Sequence, residues 1–237
     1  MNIQELKDLQ PLVYQQFVTI LEQGRLAHAY LFSGDFASFE MALFLSQALF
    51  CQEKVGVHPC GKCRSCRLIE SNDFSDVTIV APQGNFIKTD TIRELVKNFS
   101  QSGFESSQQV FIIRDAEKMH VNAANSLLKV IEEPQSTIHI FLLTNQEEAV
   151  LPTIKSRTQI ISFPQNLPYL ERFLEEEGLL KTQASLIARL VSSQEEAKRL
   201  ATNKSFIDLL DQAKKFTELL LTDSNRAYLQ VGVLVPL

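Results

Sequence analysis

Five short runs of apolar, β-forming residues set the strongest limit on what this chain can fold into. They are Ala29–Ser33 (AYLFS), Val77–Val80 (VTIV), Val110–Ile113 (VFII), Ile138–Leu143 (IHIFLL) and Gln159–Phe163 (QIISF). None alternates clearly between apolar and polar positions. Near-continuous apolarity is what strands need when helices cover both faces of their sheet. Helical patterns separate the runs. Phe36–Phe50 carries apolar residues at three- and four-residue spacing, and Thr91–Phe99 opens on the capping box Thr91-Ile92-Arg93-Glu94. A third helix spans Val121–Ile131 and stops near Pro134. Strand alternating with helix predicts a parallel α/β sheet.

Beyond Phe163 and Pro164 the β signal ends. Tyr169–Glu177, Gln183–Val191, Glu195–Ala201 and Phe206–Leu221 read as helices, punctuated by Gly178 and the Ser192-Ser193 pair. The expected organisation is a sheet domain over 1–163, a small all-helical domain over 164–207, and the start of another helical domain over 208–237. The final stretch AYLQVGVLVPL has no clear period and ends apolar, so the chain reads as cut short of that last domain.

A length of 237 residues, 45% hydrophobic content and a mean hydropathy of -0.03 suffice for a sizeable core. The net charge of -5 gives no global attraction to nucleic acid or anionic membrane. The opening MNIQELKDLQ lacks the basic start and apolar centre of a signal peptide, and no run approaches the ~18 apolar residues of a membrane span. A cytoplasmic protein is expected, and in a reducing compartment cysteines persist as thiols.

All four cysteines fall in one segment, Cys51, Cys60, Cys63 and Cys66, spaced C-x8-C-x2-C-x2-C. Two-residue gaps let successive thiolates turn back onto one ion, Gly61 eases the turn, and four sulfurs complete a tetrahedron. The alternatives are buried reduced cysteines or disulfides. Three cysteines so closely spaced are hard to pair with one another, and Lys62 and Arg64 are poor core material. A closed set of four thiolates predicts structural zinc, because no position remains for a reacting water. The basic cluster Lys62, Arg64 and Arg67 leaves a zinc-dependent DNA-binding module as a rival reading.

The first strand, Gly34 and the following helix have the outline of a phosphate loop. In that motif a second glycine lets backbone N–H groups close on phosphate, a lysine reaches the β/γ oxygens, and a hydroxyl binds magnesium. Here Phe39, Glu40 and Met41 take those three places. A unit charge pair at 4 Å is worth ~4 kcal/mol at an effective dielectric of about 20, so exchanging lysine for glutamate turns a large attraction into repulsion. Locally, the stretch could equally be a plain strand followed by a helix. The later run VFIIRDAEKM bears on the choice. Arg114 stands where a magnesium-binding Asp would be, and Asp115 where a catalytic Glu would be. The expectation is that this chain binds no ATP.

With these residues in view, the chain resembles the AAA+ clamp-loader subunits of bacterial DNA polymerase III. The resemblance rests on HAYLFSG (His28–Gly34), the four-cysteine knuckle, NSLLKVIEEP (Asn125–Pro134) and LPTIKSRT (Leu151–Thr158). It implies a P-loop-type AAA+ sheet domain with an inserted zinc knuckle at 51–66, a helical lid and the start of a helical collar. Gamma/tau subunits of that family keep the loop lysine and the Asp-Glu pair, so the resemblance implies a non-hydrolysing member, without turnover alone, whose partners are gamma/tau and delta subunits. Within the assembly it would act on the sliding clamp and primed DNA. The family's Ser-Arg-Cys motif places an arginine at a neighbouring subunit's γ-phosphate. Arg157 matches that arginine, Ser156 would shape its loop, and Thr158 replaces the cysteine. The rival enzyme reading is an AAA+ ATPase using its own atypical loop.

Overall fold

The computed structural model describes residues 3–99, 108–133, 137–222 and 227. They fall into two compact units, Met1–Gln165 and Asn166–Leu237. The first holds a sheet of β1 (Ala29–Ser33), β2 (Val77–Val80), β3 (Gln108–Ile113), β4 (Thr137–Thr144) and β5 (Gln159–Ser162). Every pairing is parallel and the order is β2-β3-β4-β1-β5. Thus β1 lies between β4 and β5, with Leu31 registered against Leu142 on one side and Ile160 on the other.

Alternate residues of these strands serve different layers. Ala29, Leu31, Phe111, Ile113, Ile138, Ile140 and Leu142 pack with Ile92, Leu95, Leu127 and Ile131 in one cluster that is aliphatic but for Phe111. Those partners come from α5 (Thr89–Phe99) and α6 (Val121–Glu132). The intervening residues Tyr30, Phe32 and Phe141 join Phe17 and Phe163 in an aromatic set with ring centroids 4.7–6.1 Å apart. Burial on both faces is why the runs of β1, β3 and β4 are apolar throughout, while the edge strands β2 and β5 are only partly buried.

The sequence reading assigns no element before Ala29, yet α1 (Ile3–Leu9) and α2 (Pro11–Glu22) lie there. Pro11 occupies the first turn of α2, where its missing N–H costs nothing, and Val13, Tyr14, Phe17 and Val18 form the buried stripe. The helix α3 (Ser38–Phe50) follows β1, and α4 (Arg64–Glu70) lies within the cysteine segment.

The expected start of α5 needs correction. The Ile92 N–H already donates to the Lys88 carbonyl, so Thr91 sits inside the first turn rather than capping it. Pro134, near which α6 was expected to stop, lies outside the described residues. The short helix α7 (Pro152–Lys155) leads into β5.

The second unit contains α8 (Leu167–Glu176), α9 (Lys181–Leu190), α10 (Gln194–Thr202) and α11 (Lys204–Thr222). Asn166 and Ser193 cap α8 and α10 by accepting from the Tyr169 and Glu196 N–H groups. Leu170, Leu174, Ala184, Ile187 and Ala188 form the buried centre. No interruption divides α11 at residue 207, where the sequence reading separates two helical domains. Of the expected collar segment, 223–226 and 228–237 lie outside the described residues. No helix among the described residues is long and apolar enough to cross a membrane.

Candidate functional site

The C-terminal ends of β1, β3 and β4 bring the phosphate-loop outline and its companion residues together, as expected for a switch point in a parallel sheet. Leaving β1, Gly34 adopts φ +113°, and a Cβ there would lie 2.3 Å from the Phe163 carbonyl oxygen. Only glycine fits this approach. The Gly34 N–H donates to the Thr144 carbonyl at 2.8 Å, tying the loop to the end of β4. Gln10 holds its other side. The buried Nε2 donates to the carbonyls of Phe36 (2.8 Å) and Pro164 (2.7 Å).

The three residues at the loop's functional places go three ways. Met41 is fully buried in the core. Glu40 lines a groove with Ile3, Leu43, Phe44, Gln47 and Glu70, away from the loop mouth. Sequence reasoning gave Glu40 the task of repelling phosphate, whereas Phe39 faces the companion residues. The Arg114 guanidinium carbon stands 4.7 Å from the Phe39 ring centroid, a cation–π stack. Between Asp35, Phe39, Arg114, Asp115, Thr144 and Asn145 a cavity of about 60 Å³ remains. Ligand pockets for small molecules run to ~300–1,000 Å³.

Asp115 has a left-handed backbone (φ +51°) and an ion pair to Lys118 at 3.5 Å. Sequence reasoning missed the next carboxylate, Glu117, which accepts from the Thr144 hydroxyl at 2.6 Å.

The four cysteines converge independently of that mouth. Their sulfurs lie within 4.8 Å of one another, and all four are free thiols. The Cys51 and Cys63 sulfurs are 3.9 Å apart. A tetrahedron with Zn–S bonds of about 2.3 Å needs edges of about 3.8 Å, so the set fits such an ion. The Cys60 N–H donates to the Cys51 sulfur (3.3 Å) and the Cys63 N–H to the Cys60 sulfur (3.2 Å), contacts that stabilise thiolates. Burial pushes the Cys51 and Cys66 thiols up. Burial also acts upward on Cys63, but backbone N–H groups of Cys66 and Gln52 and the neighbouring thiols outweigh it and bring Cys63 down to about 6. Lys62, Arg64 and Arg67 are exposed around the cluster.

Arg157 and Ser156 follow α7 at the surface. The Arg157 Nε donates to the Glu132 carboxylate at the end of α6. Its Nη1 reaches the Thr153 carbonyl (3.1 Å) and Ser156 Oγ (3.3 Å). The side chains of Arg157 and Glu132 are 38% and 47% exposed. No local sequence signal pairs residues 25 positions apart.

The sequence model of the family described as DNA polymerase III, delta subunit, matches residues 9–166. A protein of Bacillus subtilis called DNA polymerase III subunit delta' is 37% identical over 227 residues, covering 94% of this chain and 69% of that relative. A DNA polymerase III subunit gamma/tau of Mycobacterium tuberculosis is 33% identical over 175 residues, covering 69% of this chain and 30% of its own length. Among solved structures, the RuvB Holliday junction branch migration motor of Thermotoga maritima aligns with a TM-score of 0.51 at 11% identity, covering 98% of this chain and 70% of that one. At that identity the likeness shows the fold alone.

Proposed function

The chain belongs to the family of DNA polymerase III delta' subunits, and from that premise we propose that it is a non-hydrolysing subunit of the clamp loader. In this reading it helps ATP-dependent loading of the sliding clamp onto primed DNA, in the cytoplasm, beside gamma/tau and delta subunits. The observation that carries the non-hydrolysing part is the Arg114–Phe39 stack at the mouth of the loop. A guanidinium and a ring occupy ground that a phosphate chain and its magnesium need, and no lysine is present among Phe39, Glu40 and Met41 to replace the lost charge.

The chain's contribution to ATP chemistry is then Arg157, supplied in trans. Phosphoryl transfer spreads negative charge over the equatorial oxygens of the γ-phosphate, and a guanidinium fork matches that distribution. Exposure of Arg157, with Ser156 beneath its fork, supports the reading. Structural zinc at Cys51, Cys60, Cys63 and Cys66 would hold the 51–66 segment, which buries little apolar surface of its own.

The test is steady-state ATP turnover by the reconstituted assembly, stimulated by clamp and primed DNA. An Arg157→Ala chain is expected to lower the turnover of the neighbouring site by ~10³-fold. An unchanged rate there removes the finger role.

A further inference from the structure

We propose that Glu132 is the positioning residue for Arg157, holding Nε of its guanidinium so that Nη2 is presented to a partner's anion. The proposal rests on the finger reading of Arg157 and adds to it the residue that makes the finger rigid.

The contacts divide the guanidinium in two. Of its five N–H donors, Nε is taken by Glu132, and Nη1 serves the Thr153 carbonyl and Ser156 Oγ. Nη2 has no partner among the described residues. Glu132 and the Thr153–Ser156 pair therefore grip two of the three nitrogens, and the donors left over, on Nη2, are those that an incoming phosphate oxygen would take. A long arginine side chain without the carboxylate would sample many rotamers, and each would have to be abandoned on docking.

Glu132 is itself well anchored. It is the last residue of α6, and its neighbour Ile131 is buried in the aliphatic cluster with Ile154 of α7. The carbonyl of Ile131 is also bound by His28 Nε2 at 2.8 Å, next to β1. Carboxylate and guanidinium thus stand on two elements packed into the same core, and the geometry between them is set before any partner arrives. As a stabilising ion pair it matters little, because both groups are substantially exposed. Its effect is on orientation.

The experiment uses the full chain in the reconstituted assembly, with clamp- and DNA-stimulated ATP turnover resolved into kcat and KM. Glu132→Ala is expected to lower kcat on the order of tenfold with KM for ATP unchanged, since the fork loses its aim and the nucleotide is bound elsewhere. Glu132→Gln should restore kcat to within about twofold, because an amide oxygen still accepts from Nε. In an Arg157→Ala background, Glu132→Ala should add nothing. A wild-type or raised kcat for Glu132→Ala overturns the proposal, as does an equally slow Glu132→Gln or an additive effect in the Arg157→Ala background. If Arg157→Ala itself is fast, the finger reading fails. If Arg157→Ala is slow and Glu132→Ala is fast, only the positioning role fails.

Discussion

The guanidinium of Arg114 lies 4.7 Å from the centre of the Phe39 ring, joining the end of β3 to the first turn of α3. Two residues far apart in sequence are thereby one physical unit. In the proposed reading, the arginine standing at the place of a metal-binding carboxylate finds its partner in the ring standing at the place of a phosphate-loop glycine.

From this pair the isolated chain is expected to bind no nucleotide. Titration with a fluorescent ATP analogue and magnesium should show no saturable signal up to about 1 mM, a free energy of about -4 kcal/mol at most. A dissociation constant in the low micromolar range would contradict it.

Gly34 and Gly24 offer a matched comparison. Both have positive φ, but a Cβ at Gly34 meets the Phe163 carbonyl at 2.3 Å while one at Gly24 meets nothing within 4 Å. Gly24→Ala should cost only the backbone term, about 1 kcal/mol. Gly34→Ala should cost about 3 kcal/mol or more, read as a larger fall in Tm or in the denaturant midpoint. Equal losses would mean that the close approach carries no energy.

Removing the Gln10 side chain should loosen the same loop from the other side. Its Nε2 satisfies two carbonyls, those of Phe36 and Pro164. Gln10→Ala leaves both without that donor at a cost of about 2–4 kcal/mol in chemical denaturation. A change below about 0.5 kcal/mol would show that water replaces the amide freely.

Elemental analysis of the purified protein should find one zinc per chain, and chelation should lower its Tm. Cys66→Ser should abolish binding. Burial raises the Cys51 and Cys66 thiols above their usual range, so in the metal-free chain they carry protons that the ion must displace. Metal uptake should accordingly release protons and weaken as the pH falls. Uptake independent of pH would contradict thiolate ligation.

The strands β1, β3 and β4 were legible because each is buried on both faces, which writes an unbroken apolar run into a few consecutive residues. The cysteine cluster was legible for a similar reason, since three of its four members lie within seven residues, Cys60 to Cys66. What escaped was set by contacts across the chain. The apolar stripe of α2 (Val13, Tyr14, Phe17, Val18) was present in the sequence but unread, whereas nothing near Gln10 announces Phe36 and Pro164 as its partners. Glu40 could be placed in the motif but not aimed, because its groove is shared with Ile3 and Glu70. Glu132 and Arg157 meet only because α6 and α7 share a core.

The division of the sheet into an aromatic and an aliphatic layer has an optical corollary. The chain has no tryptophan, and Tyr14 and Tyr30 are the only tyrosines in residues 1–165. Tyr30 meets Phe17 edge-on in the aromatic layer, and Tyr14 projects from α2 onto Phe44 of α3. Tyrosine dichroism and tyrosine emission from this unit therefore register melting on the α2–α3 side and stay silent while α5 and α6 come away from the opposite surface.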